Sequence, residues 1–210
     1  MRWLLLGIPA VLLYLYGVAS DEMPIRLASK PIPVIALLFW LRGFPASAYR
    51  NRIALGLFFS LAGDVLLAWP ADLFVFGLGA FLLAHLAYLS AYLSDSRRLA
   101  PLALVFAAST AAGMFGVLAS AGLGSLLVPV ALYALTIGAM LWRSLARIGT
   151  AGVPVLSARL AAGGAVLFVL SDSLIGIDRF VMPFEAAPYA IILSYWAGQS
   201  AIAASAAHTR

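Results

Sequence analysis

Cysteine is missing from this chain altogether, and charge is nearly so. Among 210 residues there are no cysteines, two histidines and eight acidic residues, and only 10% of the chain is charged. The first absence excludes a disulfide framework, a thiolate metal site and a cysteine nucleophile. Two histidines, His85 and a His208 in the C-terminal tail, are too few for a histidine-built metal centre, so neither metal nor cofactor is expected. What fills the chain is apolar: 64% hydrophobic residues and a mean hydropathy of +1.05. A soluble domain of this length cannot keep so much apolar surface from water, and the chain reads as an all-α, polytopic membrane bundle. The pI of 9.9 raises the question of nucleic acid. The arginines are scattered between apolar runs instead of lining one face, which argues against nucleic acid as a partner and marks them as topology signals.

Eight apolar runs are predicted to cross the bilayer: residues 3–19, 30–41, 53–69, 73–93, 100–119, 123–142, 158–177 and 183–206. Most approach the ~20 residues that span ~30 Å of hydrocarbon. The second is short and begins at Lys30-Pro31-Ile32-Pro33. Arg2, the apolar run behind it and Val18-Ala19-Ser20 mimic a signal peptide, but with Met1 retained the run is taken as an uncleaved first span. Short connections such as Pro70-Ala71-Asp72 and Ala121-Gly122 join antiparallel neighbours in a single domain, residues 1–210.

With the N-terminus in the cytoplasm, that side holds Arg2, Arg42, Arg50, Arg52, Arg97, Arg98, Arg143, Arg147, Arg159 and Arg210, and the other holds Arg26, Lys30 and Arg179. Ten basic residues against three place both termini inside. Asp64 and Asp172 lie inside spans three and seven, where an ionisable carboxyl is costly and by default functional. Counted from Arg52 and Arg159 at ~1.5 Å per residue, both fall about 18–20 Å from the cytoplasmic boundary. Lys30, counted from Arg42, reaches the same level. His85, on the same arithmetic, lies several ångströms nearer the cytoplasm.

Spans three and seven also echo one another. Each runs from a cytoplasmic arginine through Leu, Gly and Phe to a small residue and an aspartate, Gly63-Asp64 and Ser171-Asp172, and each precedes a helix carrying tyrosine. Both run in one direction, the pattern of two four-helix halves related by an axis along the membrane normal.

Five segments carry a family resemblance. They are Lys30-Pro31-Ile32-Pro33-Val34, the run from Gly56 to Gly63-Asp64, Phe81 through His85 to Tyr88, Phe168-Val169-Leu170-Ser171-Asp172-Ser173-Leu174, and Ser194-Tyr195-Trp196-Ala197-Gly198-Gln199. In order and over most of the chain, they resemble the YhhN-like lysoplasmalogenases. The resemblance implies an eight-span membrane hydrolase that cleaves the vinyl-ether bond of lysoplasmalogens to a fatty aldehyde and a glycerophospho-base. Asp64 and Asp172 match the family's catalytic positions. Trp196, where a second tyrosine is common, and Gly198, where alanine is usual, are the departures. The implied partners are a lysophospholipid and the bilayer, in a bacterial inner membrane; no oligomeric state is fixed.

The residues suit that chemistry. A vinyl ether resists hydroxide, but protonation of its β-carbon gives an oxocarbenium ion that water captures as a hemiacetal. One protonated aspartic acid would supply the proton, and a second, ionised, would stabilise the cation and orient the water. Which aspartate plays which part stays open at this level.

Each candidate also has a plainer reading. The aspartates have Ser60, Ser171 and Ser173 as hydroxyl partners for a structural role. His85 and Tyr88 suit packing as well as catalysis. Tyr195 and Gln199, one turn apart, fit substrate contact or interhelical bonding equally. Lys30 either snorkels, neutralises an aspartate or meets a lipid phosphate. Arg179, an external cation beside Asp178, is a phosphate candidate or that neighbour's ion-pair partner. The inner arginines read as topology determinants, and Trp3, Trp40, Trp69 and Trp142 as interfacial anchors. Gly122-Leu123-Gly124-Ser125 loosely suggests a serine nucleophile, but no internal histidine follows it as base. The remaining rivals are a small transporter using Asp64, Asp172 and Lys30 as a relay, and a lipid-binding protein without turnover.

Overall fold

The computed structural model describes residues 2–208. Arg210 lies outside the described residues, as does the side chain of Arg2. The described residues form nine α-helices and no strand: α1 Arg2–Ala19, α2 Met23–Ser29, α3 Ile32–Leu41, α4 Ala48–Ala68, α5 Phe74–Asp95, α6 Pro101–Ser120, α7 Leu127–Ala146, α8 Val155–Gly176 and α9 Ala187–Ala207. A 3₁₀ turn, Gly124–Leu126, leads into α7, and a π turn, Ile177–Val181, ends α8.

Six helical segments are long and apolar enough to cross a membrane: Met23–Leu41, Ala48–Ala68, Phe74–Asp95, Pro101–Ser120, Gly124–Ala146 and Val155–Val181. In α1 the apolar stretch Leu5–Ala19 is shorter. The 21-residue α9 is outside the six, its apolar run diluted by Tyr195, Trp196, Gln199 and several serines. The second segment differs from expectation in where it begins. Lys30-Pro31 does not open the span but interrupts it, with α2 before and α3 after, and each short helix carries a proline in its first turn. A proline there supplies a preset φ and removes only an amide that has no intrahelical partner. The fourth helix starts earlier than hydropathy indicates because Ser47 caps it, its hydroxyl accepting from the Arg50 amide at 3.1 Å.

Helix pairs close on glycine. A Cβ on Gly56 would lie 2.2 Å from the Tyr88 ring, one on Gly63 2.6 Å from Phe81, and one on Gly164 2.7 Å from the Gly198 carbonyl. These contacts bring α4 against α5 and α8 against α9 at nearly backbone distance, as small residues do in bilayer helices where apolar burial gives no drive to associate. The outer faces stay apolar, with Leu102 88% and Leu135 69% exposed.

Polar contacts mark the two ends of the bundle. At one, Arg147 on α7 is fully buried, donating to Asp95 at 2.7 Å and Ser157 Oγ at 3.0 Å, with its guanidinium 4.4 Å from the Tyr49 ring centre. Tyr49 meets Ser205 of α9 at 2.8 Å. Thus the start of α4, the ends of α5, α7 and α9 and the start of α8 converge there. At the other end, Arg179 bridges to Asp72 between α4 and α5 at 3.0 Å. Back at the first end, one turn before Arg147, Arg143 is also buried and donates to the carbonyls of Ser96 and Arg98. Arg143 and Arg147 therefore also act as interhelical latches, a role their reading as topology charges does not include. A guanidinium taken out of water needs its donors filled, and carbonyl, carboxylate and ring faces fill most of them.

Candidate active site

Asp64 and Asp172 both occur at helix positions that face the centre of the bundle. Asp64, 1% exposed on α4, accepts a hydrogen bond from the Tyr195 hydroxyl of α9 at 2.7 Å. The Lys30 ammonium, at the α2–α3 break, stands 4.0 Å from its other oxygen. Asp172 on α8 accepts from the Tyr133 hydroxyl of α7, and the same oxygen is 3.6 Å from Nε2 of His85 on α5. Phe168, fully buried, packs against a neighbour of each carboxyl, its ring centre 4.7 Å from that of His85 and 5.4 Å from that of Tyr195. Phe81 closes the same aromatic shell, 5.9 Å from Phe168 and 5.8 Å from Tyr195.

A second polar chain backs the first. The Tyr88 hydroxyl donates to Gln199 Oε1 at 2.7 Å and lies 3.4 Å from Ser60 Oγ. Beside these groups, Gln199 Nε2 and both ring nitrogens of His85 are buried without a hydrogen-bond partner among the described residues. A buried donor or acceptor left unpaired costs about 1–3 kcal/mol, so such groups point to a role or to an absent ligand. Two cavities of about 60 Å³ each reach the site, and both are lined by Asp172 and Tyr133.

The structure corrects several expectations at this site. Of the hydroxyls offered as structural partners for the aspartates, Ser60 and Ser171 bond elsewhere, Ser60 near Tyr88 and Ser171 to the Ile191 carbonyl at 3.0 Å. Tyrosines take that place. The His85 imidazole reaches Asp172 to 3.6 Å across the offset in depth expected of their helix positions. A side chain leans toward the N-terminus of its own helix, and α5 and α8 are antiparallel, so the two lean toward one another. Lys30 meets Asp64 instead of snorkelling. Arg179 is not paired with Asp178, which accepts from the Phe184 amide at 3.2 Å, but with Asp72, and its guanidinium lies 4.0 Å from the Phe74 ring centre. Tyr133 is a site residue that the sequence does not single out. A lone tyrosine in an apolar helix, Leu127-Val128-Pro129-Val130-Ala131-Leu132-Tyr133, carries no spacing signal.

No group of three or more metal-ligand side chains occurs among the described residues. What the arrangement offers is two buried carboxyls, each held by a phenol, one beside an ammonium and one beside an imidazole. Fold and site together define a helical membrane protein with two buried aspartates in its spans.

The chain belongs to the YhhN family, which it matches over residues 25–206. It is 33% identical to the lysoplasmalogenase TMEM86B of Sus scrofa over 177 residues, 84% of this chain and 73% of the relative. It is 36% identical to the Homo sapiens TMEM86B over 180 residues, with the same coverage. The lysoplasmalogenase of Mycobacterium bovis is 39% identical over 173 residues, 76% of this chain and 62% of that protein. No solved structure matches the chain.

Proposed function

We propose that this protein is a membrane hydrolase that cleaves the vinyl-ether bond of lysoplasmalogens, with Asp172 as the acid and Asp64 as the carboxylate. The relatives' names support the substrate and the reaction. The observation that carries the division of labour is Lys30 beside Asp64: an ammonium at 4.0 Å and a phenol donating at 2.7 Å both suit an ionised carboxyl. Asp172 has no lysine or arginine partner among the described residues, and it borders the cavities. In the reaction, Asp172 gives its proton to the β-carbon of the vinyl ether while the ether oxygen shares the resulting positive charge. Asp64 stabilises that oxocarbenium ion and accepts a proton from the attacking water. The hemiacetal then breaks its bond to the glycerol oxygen, releasing aldehyde and alcohol, and the balance is one water consumed per ether cleaved.

The proposal includes eight crossings: α1, α2 with α3, and α4 to α9, both termini cytoplasmic, as the ten-to-three bias of basic residues favours. It includes two related halves as well. Asp64 on α4 meets Tyr195 on α9, and Asp172 on α8 meets His85 on α5. Each aspartate thus contacts an aromatic side chain on the helix that follows the other aspartate. His85 lies 21 residues beyond Asp64 and Tyr195 lies 23 beyond Asp172.

Aldehyde release from a lysoplasmalogen by purified protein tests the reading, with Asp64→Asn and Asp172→Asn compared against wild type in folded form. Unchanged turnover in both variants defeats it. The relay-type transporter is not favoured by these relatives; uptake into sealed vesicles without aldehyde release would restore it.

A further inference from the structure

The cleft between α6 and α7 differs from the rest of the lipid-facing surface. It is a groove of about 560 Å³ whose walls are mostly alanine and glycine, with Phe115 at one end and Trp142 at the other. Its inner wall is shared with the smaller cavity that reaches Asp172. Ala107, Ala111, Phe115, Ala134 and Gly138 line both. Beyond Tyr133 and Asp172 the second small cavity continues to Phe74 and Phe180. The Arg179 guanidinium stands over those two rings, 4.0 and 5.8 Å from their centres. A line therefore runs from the open groove, past the acid, to a cation at the end of the bundle.

From this continuity we propose that the α6–α7 groove is the lateral port and binding site for the hydrocarbon chain of a single-chain lipid, with the reacting carbon at Asp172 and the phosphate end toward Arg179. The inference rests on the hydrolase reading for its reaction, but chain binding in the groove does not require turnover.

Three features fit such an occupant. The groove is apolar throughout, apart from the Trp142 indole, which donates to the Leu99 carbonyl at 2.6 Å. An alkyl chain asks for nothing else. Second, α6 is the least embedded of the long helices: only Ala107 and Leu118 on it are buried. It is held at its ends, by Trp142 and Arg143 on the carbonyls of Leu99 and Arg98 and by Leu118 against Gly176. Between those anchors its contact with α7 includes the small residues Ala107, Ala111, Ala134 and Gly138, closest where a Cβ on Gly138 would lie 2.8 Å from Ala111. A helix pinned at both ends and buried at so few positions between them can part from its neighbour without unfolding. Third, the orientation is consistent. Asp172 on α8 precedes Arg179 in the π turn that ends it by seven residues, about 10 Å of rise, while the groove extends away from Arg179 toward Trp142. A lipid placed this way has its phosphate at one boundary and its tail toward the bilayer centre.

The other large groove, about 600 Å³ between α1, α3 and α9, is the competitor. It is lined by Trp40, Trp196 and His208 among others, and neither Asp64, Asp172 nor Lys30 borders it.

Two measurements test the port. In the first, a lysophosphatidylcholine with a photoreactive diazirine in its acyl chain is cross-linked to the wild-type protein in nanodiscs and the adducts are mapped. Adducts on α6 and α7 residues of the groove, competed away by unlabelled lysophosphatidylcholine, are expected. Adducts confined to α1, α3 and α9, or spread evenly over the lipid-facing surface, overturn the proposal. In the second, Ala134→Phe, which fills the wall shared by groove and cavity, is assayed on long- and short-chain lysoplasmalogens. kcat/KM is expected to fall by about tenfold or more on the long chain and by a smaller factor on the short one. Ala36→Phe, in the competing groove, is expected to lack this chain-length dependence. Equal losses on both chains for Ala134→Phe, or the dependence appearing in Ala36→Phe instead, overturn the port. If wild type releases no aldehyde from any chain, the hydrolase reading fails, and the cross-linking result still decides the binding site.

Discussion

His85 Nε2 lies 3.6 Å from Asp172 Oδ2, and neither ring nitrogen of this fully buried histidine has a hydrogen-bond partner. The contact joins α5 to α8 at the proposed acid. In the proposed mechanism a shift of about half an ångström brings the imidazole into hydrogen-bond reach of Asp172, where it exchanges a proton with it after each turnover.

Replacing His85 separates that role from packing. His85→Phe removes two unpaired polar atoms and keeps a planar ring against Phe168 and Tyr133, so thermal stability is expected to hold or rise. Aldehyde release is expected to fall by about 100-fold, the scale of lost proton-transfer assistance. Unaltered kcat in a folded His85→Phe protein would leave the histidine as packing only.

Tyr133 and Tyr195 invite a paired comparison, since each donates its hydroxyl to one of the aspartates. Tyr133→Phe and Tyr195→Phe each remove one hydrogen bond to a carboxyl, worth ~1.5–3 kcal/mol where the acceptor is charged. Both are expected to lower kcat by about tenfold or more and to lower the melting temperature by only a few degrees. Steady-state kinetics on purified protein checks this.

For Lys30 the expectation is about a buried charge. Lys30→Met strands Asp64, and breaking a buried pair by removing one partner costs about 3–5 kcal/mol. The double variant Lys30→Met/Asp64→Asn is expected to regain most of the lost stability and none of the activity. Unfolding midpoints of the single and double variants in detergent decide it.

Arg147 should behave as a core residue despite its charge. With Asp95 at 2.7 Å and Tyr49 beneath it, Arg147→Met is expected to lose about 3–5 kcal/mol, and Arg147→Lys to recover little of it because the planar fork is gone. Arg97→Gln, on the exposed connection before α6, is expected to change stability by less than about 0.5 kcal/mol. Thermal unfolding of the three variants in detergent checks the order.

Gly56→Ala tests the closest approach in the fold. Its methyl would sit 2.2 Å from the Tyr88 ring, so either the ring or α4 must move. A loss of about 1–3 kcal/mol is expected, with reduced turnover because Tyr88 is tied through Gln199 to the helix that carries Tyr195.

The helices were legible because the bilayer asks for long apolar runs, and each expected run corresponds to a helix in the structure within a few residues at most ends. The second was the exception. Its proline pair read as a start but acts as a break, since a proline is tolerated both at a helix's first turn and in a broken span whose freed groups find partners. The aspartates and Lys30 were legible as ionisable residues inside apolar runs. Tyr133 was not, because tyrosine in a span has several uses and only a neighbouring helix gives it one. Nor was the burial of Arg147, whose sequence position is that of an ordinary boundary charge.

The sequence by itself determined the solvent, the helices and the chemical kinds of group held inside them. Composition and run length suffice for that, since hydrocarbon penalises charge and exposed backbone wherever they fall. Which group touches which was decided only by the tertiary structure. Asp64 with Lys30 and Tyr195, Asp172 with Tyr133 and His85, and the groove that leads to Asp172 each join helices far apart in the chain. Their rotation about the helix axes is fixed by where glycines let backbones close, a property of pairs of helices that neither one carries alone.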